Sequence, residues 1–197
     1  MRIDTRHIPL ILIVFLLTAC TGCEEQTGSR HKTAEGFGIP EKQTMTGVVG
    51  ICTTSDDMEL ITEDSTSLFV ETFNKVVFGS CEPGDSVHVT YMDIDGHLIS
   101  SVVINLRQLA QRWKAVGDST TTAPIIKLLP DNHVRSYADE TDDEQYIQWN
   151  LFDGQLMLTS QPDSLQPVTV DTFTIRSLNR DSLVLRKENH TILYIKH

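Results

Sequence analysis

The stretch VHVTYMDIDGHLISSV, residues 87–102, decides the fold class. Val87, Val89 and Tyr91 alternate with His88 and Thr90, the period of two that puts every second side chain on one face of a strand. A second β-branched run, from Leu98 to Val102, follows Asp95-Gly96. That dipeptide suits a two-residue type I′ turn, because both central residues of such a turn take positive φ. The stretch predicts an antiparallel hairpin.

The same pattern extends in both directions. Met45–Cys52, Met58–Thr62, Ser67–Phe73, Ser86–Met92 and Leu98–Leu106 read as short strands, separated by turn signals at Asp56-Asp57 and Glu82-Pro83-Gly84-Asp85. Further on, Ile125–Leu129, His133–Ala138, Gln145–Leu151, Gln155–Thr159, Val168–Ile175, Ser182–Arg186 and Thr191–Ile195 form a second set, with Asp153-Gly154 as another hairpin turn. Between the two sets, Leu106, Leu109, Ala110 and Trp113 recur at i, i+3, i+4 and i+7, which predicts a helix over Asn105–Val116. The expectation is an all-β chain of two small antiparallel β-barrel modules, 44–105 and 106–197, with one short helix between them. One continuous barrel is the other reading of the same strands.

Charge limits the partners. The 197 residues carry 27 Asp and Glu against 16 Lys and Arg, a net charge of −11. Nucleic acid needs a basic face, and anionic lipid needs a polybasic one. Neither is expected here.

The N-terminus reads as an address. Arg2 and Arg6 precede the apolar run Leu10–Leu17, and small residues follow at Thr18-Ala19, the layout of a secretory signal over 1–19. Leu17-Thr18-Ala19-Cys20 resembles a bacterial lipobox, which implies cleavage before Cys20 and lipidation of its thiol. Each buried CH₂ of an acyl chain adds about 0.8 kcal/mol, so several chains hold where one does not. Residues 20–43, poor in sizeable apolar groups, read as a lipid-anchored flexible tether. Glu24-Glu25 resemble the acidic export signals of Bacteroidota surface lipoproteins. The expected location is the cell envelope, anchored to the outer membrane and facing either the periplasm or the exterior.

Motifs for catalysis are missing. G-x-S-x-G, H-E-x-x-H and G-x-x-x-x-G-K-[ST] do not occur. His88 and His97 flank one hairpin, yet no third ligand stands at a suitable spacing, so no metal site and no cofactor are expected. Cys52 and Cys81 leave two readings open, a disulfide in an oxidising compartment or two thiols packed as small hydrophobes.

The second half carries a resemblance. Trp113, then Tyr146-Ile-Gln-Trp149, then Asp171-Thr-Phe-Thr-Ile175-x-x-Leu178 with Asp181-Ser182-Leu183-Val184-Leu185 resemble the lipocalin-like domains of Bacteroidota lipoproteins. Gln111 departs from that pattern, which usually has Gly two residues before the opening Trp. The first module, with Gly47-Val48-Val49 and Pro83-Gly84-Asp85-Ser86-Val87-His88-Val89, is similar to small OB-type barrels. The lipocalin resemblance implies an envelope lipoprotein, not an enzyme, whose barrel holds a small hydrophobic ligand. Trp113, Tyr137, Tyr146 and Trp149 are the candidate lining residues, unless these aromatics simply fill the barrel. The competing function is a structural or interaction protein that presents its surface to a protein or glycan partner.

Overall fold

Asp95 and Gly96 both adopt positive φ, 55° and 87°, and so do Asp153 and Gly154 at 49° and 74°. The two hairpin turns thus have the mirror-image geometry that matches strand twist. A computed structural model describes residues 40–73, 75–116, 125–137, 146–160 and 167–197. The signal, Cys20 and nearly all of the tether lie outside the described residues.

The first sheet contains β1 (Lys42–Val49), β2 (Asp57–Ile61), β3 (Ser67–Glu71), β4 (Val76–Phe78), β5 (Ser86–Ile94) and β6 (His97–Asn105). Its order is β3-β2-β1-β5-β6-β4, and a parallel pairing of β3 with β6 at Glu71 and Ile99 closes five of these strands into a ring. Val49, Met58, Leu60, Val70, Val87, Val89 and Val103 fill it. Closure requires β1 to pass from β5 to β2, and Gly47 sits at the crossing. A Cβ there would lie 2.7 Å from the Ile61 carbonyl oxygen, closer than packed atoms allow.

The second sheet is a meander. It contains β7 (Arg112–Ala115), β8 (Ile125–Leu128), β9 (Val134–Tyr137), β10 (Tyr146–Phe152), β11 (Gln155–Ser160), β12 (Thr169–Leu178), β13 (Ser182–Lys187) and β14 (His190–Lys196). Each strand pairs antiparallel with the next except at β9 and β10, and β14 returns to pair with β7. An isolated bridge between His133 and Gln148 spans the remaining gap. The result is a nearly closed eight-stranded barrel. Its inward positions hold Trp113, Leu128, Leu156, Leu158, Ile175, Leu183 and Leu185, each at most 2 % exposed.

The strands lie within a few residues of expectation, but the helix does not. Only Leu106–Leu109 is helical (α1), capped by the Asn105 side chain accepting the Gln108 N–H at 2.8 Å. Trp113 lies in β7 instead. The helical spacing correctly marked Leu109 and Trp113 as buried, but barrel closure needs β7 extended to pair with β14. Trp113 keeps a link to the helix, since its indole N–H donates to the Leu109 carbonyl at 2.8 Å. Strand β4 was not expected, being only three residues long and parallel to β6.

The two barrels meet along β6. Val103 points into the first core, while Val102 and Ile104 join the second. Phe78 of β4 packs against the second core as well, and the Gly79 N–H donates to the Leu178 carbonyl at 3.0 Å. Residues 39–197 accordingly form one compact unit.

No Cys52–Cys81 bridge is formed. Cys52 is an exposed thiol in the turn after β1. Cys81 is half-buried, with its Sγ 3.4 Å from the Met58 Sδ, and burial pushes its thiol pKa up. It packs as a small hydrophobe.

Replacing Trp113 by Ala removes a fully buried ring and the hydrogen bond to Leu109, and is expected to destabilise the fold by about 3–5 kcal/mol. Val168→Ala, at an exposed position, should change stability by less than about 0.5 kcal/mol. Urea unfolding midpoints of the two variants check the contrast.

Candidate functional site

The turns of the second barrel that face the first leave a cleft between them of about 480 Å³. Its floor is the outer face of the first barrel. Thr46 on β1 and Ile104 on β6 flank His88 of β5 in register, and Ser86 lies two residues before it on the same face. The period of two that buries Val87 and Val89 therefore aims Ser86 and His88 at the cleft. One side is α1 and its exit, with Leu106, Arg107, Ala110 and Gln111. The opposite wall belongs to the second barrel and consists of Pro130 and Asn132 from the β8–β9 turn and Trp149–Leu151 from β10.

Trp149 is held rigidly. Its backbone N–H donates to the Asn132 carbonyl at 2.8 Å and its indole N–H to the Leu129 carbonyl at 2.9 Å. These bonds occur where β9 and β10 approach, so barrel closure and the placement of the aromatic wall are one event. Asn132 takes a φ of 67°, a turn conformation that Asn tolerates.

His88 is the chemically distinctive group. Its Nε2 is buried and has no hydrogen-bond partner. Burial pushes its pKa below the usual imidazole value and keeps the ring neutral near pH 7. A neutral imidazole offers one donor and one acceptor. The cleft thus combines apolar walls with a few polar groups, the usual make-up of a small-molecule site, and its volume lies in the ordinary range.

The expected lining residues separate. Trp149 is buried in the core of the second barrel, 3 % exposed, and borders the cleft. Trp113 is core, plugging the barrel beneath α1. Tyr146 is half-buried on β10, and its hydroxyl donates to Asp171 Oδ2 at 2.8 Å. Tyr137 lies in β9, and its side chain is outside the described residues. His88 and His97 do not converge. His97 Nδ1 lies 2.9 Å from Glu71 Oε1 on the far side of the first barrel, and among the described residues no cluster of three metal-ligating side chains occurs.

His88, Arg107 and Gln111 escaped the sequence reading as lining residues. His88 looked like any outward residue of a half-buried strand, because nothing in its neighbourhood announces the second barrel opposite. Gln111 did carry a signal, standing where the resembled pattern has Gly. It borders the cleft, and its Nε2 donates to the Arg107 carbonyl at 2.7 Å.

Asp171 braces the outside of the second barrel. Partial burial opposes its ionisation, but hydrogen bonds from Lys187 and Tyr146 outweigh it and hold the carboxyl below the usual carboxylate range. Its folded pKa is therefore lower than its unfolded one, so its stabilisation is present above the unfolded value, about 3.9, and is lost as pH falls through the folded one. Asp171→Asn is expected to cost about 1–2 kcal/mol at pH 7 and much less in strong acid. Denaturant midpoints measured at pH 7 and pH 2.5 test the sign.

The profile of a family described as lipocalin-like matches residues 106–197. A crystal structure of a lipocalin-like protein from Bacteroides thetaiotaomicron VPI-5482, determined at 1.95 Å, is 24 % identical with a TM-score of 0.38, covering 45 % of this chain and 96 % of that one. No curated protein sequence matches the chain. From α1 to its last strand, the chain is similar to a lipocalin-like domain.

Proposed function

We propose that the protein is a lipid-anchored, non-catalytic binding protein of the cell envelope, which holds a small apolar or amphipathic molecule in the cleft between its barrels. The observation that carries this reading is a cleft of about 480 Å³ lined by His88 and walled by Trp149. A lipocalin-like fold supports a binding role. The inward positions of the second barrel, by contrast, are taken by Trp113 and its aliphatic neighbours, which favours the cleft over the lumen. The anchor rests on the lipobox-like sequence ending at Cys20.

A second reading has its own observation. Val184 and Leu193 pair directly across β13 and β14, and Leu193, Ile195 and Val116 are exposed beside them. Such a strip on the outside of the second barrel suits contact with another protein.

Protein purified gently from its own host in mild detergent should show, by native mass spectrometry, an extra mass that organic solvent strips off. Thr46→Phe, which fills the cleft from an exposed position on β1, should reduce that occupancy about tenfold, equivalent to about 1.4 kcal/mol. A clean apo mass in repeated preparations would sink the carrier reading and favour the exposed strip. Independently, Cys20→Ala should abolish incorporation of a labelled acyl chain and release the protein from the membrane fraction. Membrane retention without label would refute the anchor.

A further inference from the structure

We infer that the molecule held in the cleft is an amphipathic anion, its apolar body against Leu106, Ala110 and Trp149 and its negative group directed at Arg107, Arg180 and Lys196. This inference rests on the cleft being the binding site. Beside the cleft, and sharing Arg107 and Gln111 with it, is a second hollow of about 410 Å³. Arg180 of the β12–β13 turn and Lys196 at the end of β14 complete its cationic lining. These two segments are held together by the Lys196 N–H donating to the Asp181 carbonyl at 3.0 Å.

Three cations gather there in a chain whose net charge is −11. Asp85 is the one carboxylate among the lining residues. It is already engaged, accepting the Ser80 hydroxyl at 2.7 Å and the Glu82 N–H at 3.0 Å, with Arg107 close enough to favour its charged form. Among the described residues, no ion pair joins Arg180 or Lys196 to a carboxylate. A local cationic excess in an acidic protein attracts a small anion and repels little else.

The polarity changes along the path. Leu106, Ala110, Pro130, Trp149 and Leu151 supply apolar surface at the cleft, and the cations lie beyond Arg107. His88 lines the apolar end. A carboxylate, sulfate or phosphate on the head meets the guanidinium of Arg107 in the geometry that favours bidentate contact.

The test uses the full chain in phosphatidylcholine nanodiscs, with empty nanodiscs subtracted. The probes are 11-(dansylamino)undecanoate and its uncharged methyl ester, followed by energy transfer from tryptophan. The expected result is at least tenfold tighter binding of the carboxylate than of the ester. Replacing Arg107, Arg180 and Lys196 together by Gln should bring that ratio to about one. All three are exposed, so the variant should fold. Arg176→Gln, elsewhere on β12, should keep the preference. Equal binding of both probes, weakened in each case by Thr46→Phe, which fills the cleft from an exposed position and keeps both tryptophans, would overturn the anion inference and leave the cleft reading standing. Binding of neither probe, or binding indifferent to Thr46→Phe, would overturn both.

Discussion

Strand β6 serves two cores at once, and the rest of the structure depends on that. An ordinary strand in a half-solvated sheet alternates apolar with polar, but Val102, Val103 and Ile104 are apolar in succession. Val103 closes the first barrel, while Val102 and Ile104 pack beneath the second. A slip of one residue would exchange the faces and spoil both interiors together. Two barrels that share a wall in this way cannot be displaced independently. The Gly79 bond to Leu178 and the Lys42–Asp153 ion pair at the same junction are secondary to it.

The cleft follows from where that wall ends. Across the first sheet, Ile104, His88 and Thr46 stand side by side. Ile104 is sealed in the shared core, His88 is half covered and Thr46 is exposed. Polar character thus rises in steps away from the junction, and the second barrel overhangs the middle step with Trp149. Rigid strands on both sides make this a preformed site, in which little ordering entropy remains to be lost on binding. Among the described positions, the inward side chains of the second barrel are aromatic and aliphatic and pack into one core.

Most of the fold was legible because a period of two and Asp-Gly turns are local signals. Asp95-Gly96 and Asp153-Gly154 stated the hairpins outright, and the alternation around Val87 and Val89 gave the buried face. Trp113 shows where local reasoning stopped. Its spacing from Leu109 suits a helix, but partners some 80 residues downstream, Tyr194 to Lys196, draw its segment into a sheet. The site was less legible still. Trp149 could be picked as an aromatic, but its neighbours come from both barrels, and no pattern within either one records the approach of the other. The same holds for Arg107, Arg180 and Lys196, which are unremarkable singly and acquire meaning only when α1, a turn and the last strand are brought together.

The pairing of β14 with β7 has a consequence for how the protein is made. The strand that closes the second barrel, β14, is synthesised after all the other strands of that barrel. The first barrel can assemble while the chain is still emerging, but the second must wait with β7 and β13 unpaired at their outer edges. Loss of β14 would therefore leave β7–β9 and β10–β13 as two separate sheets joined by the bridge from His133 to Gln148, rather than a slightly smaller barrel.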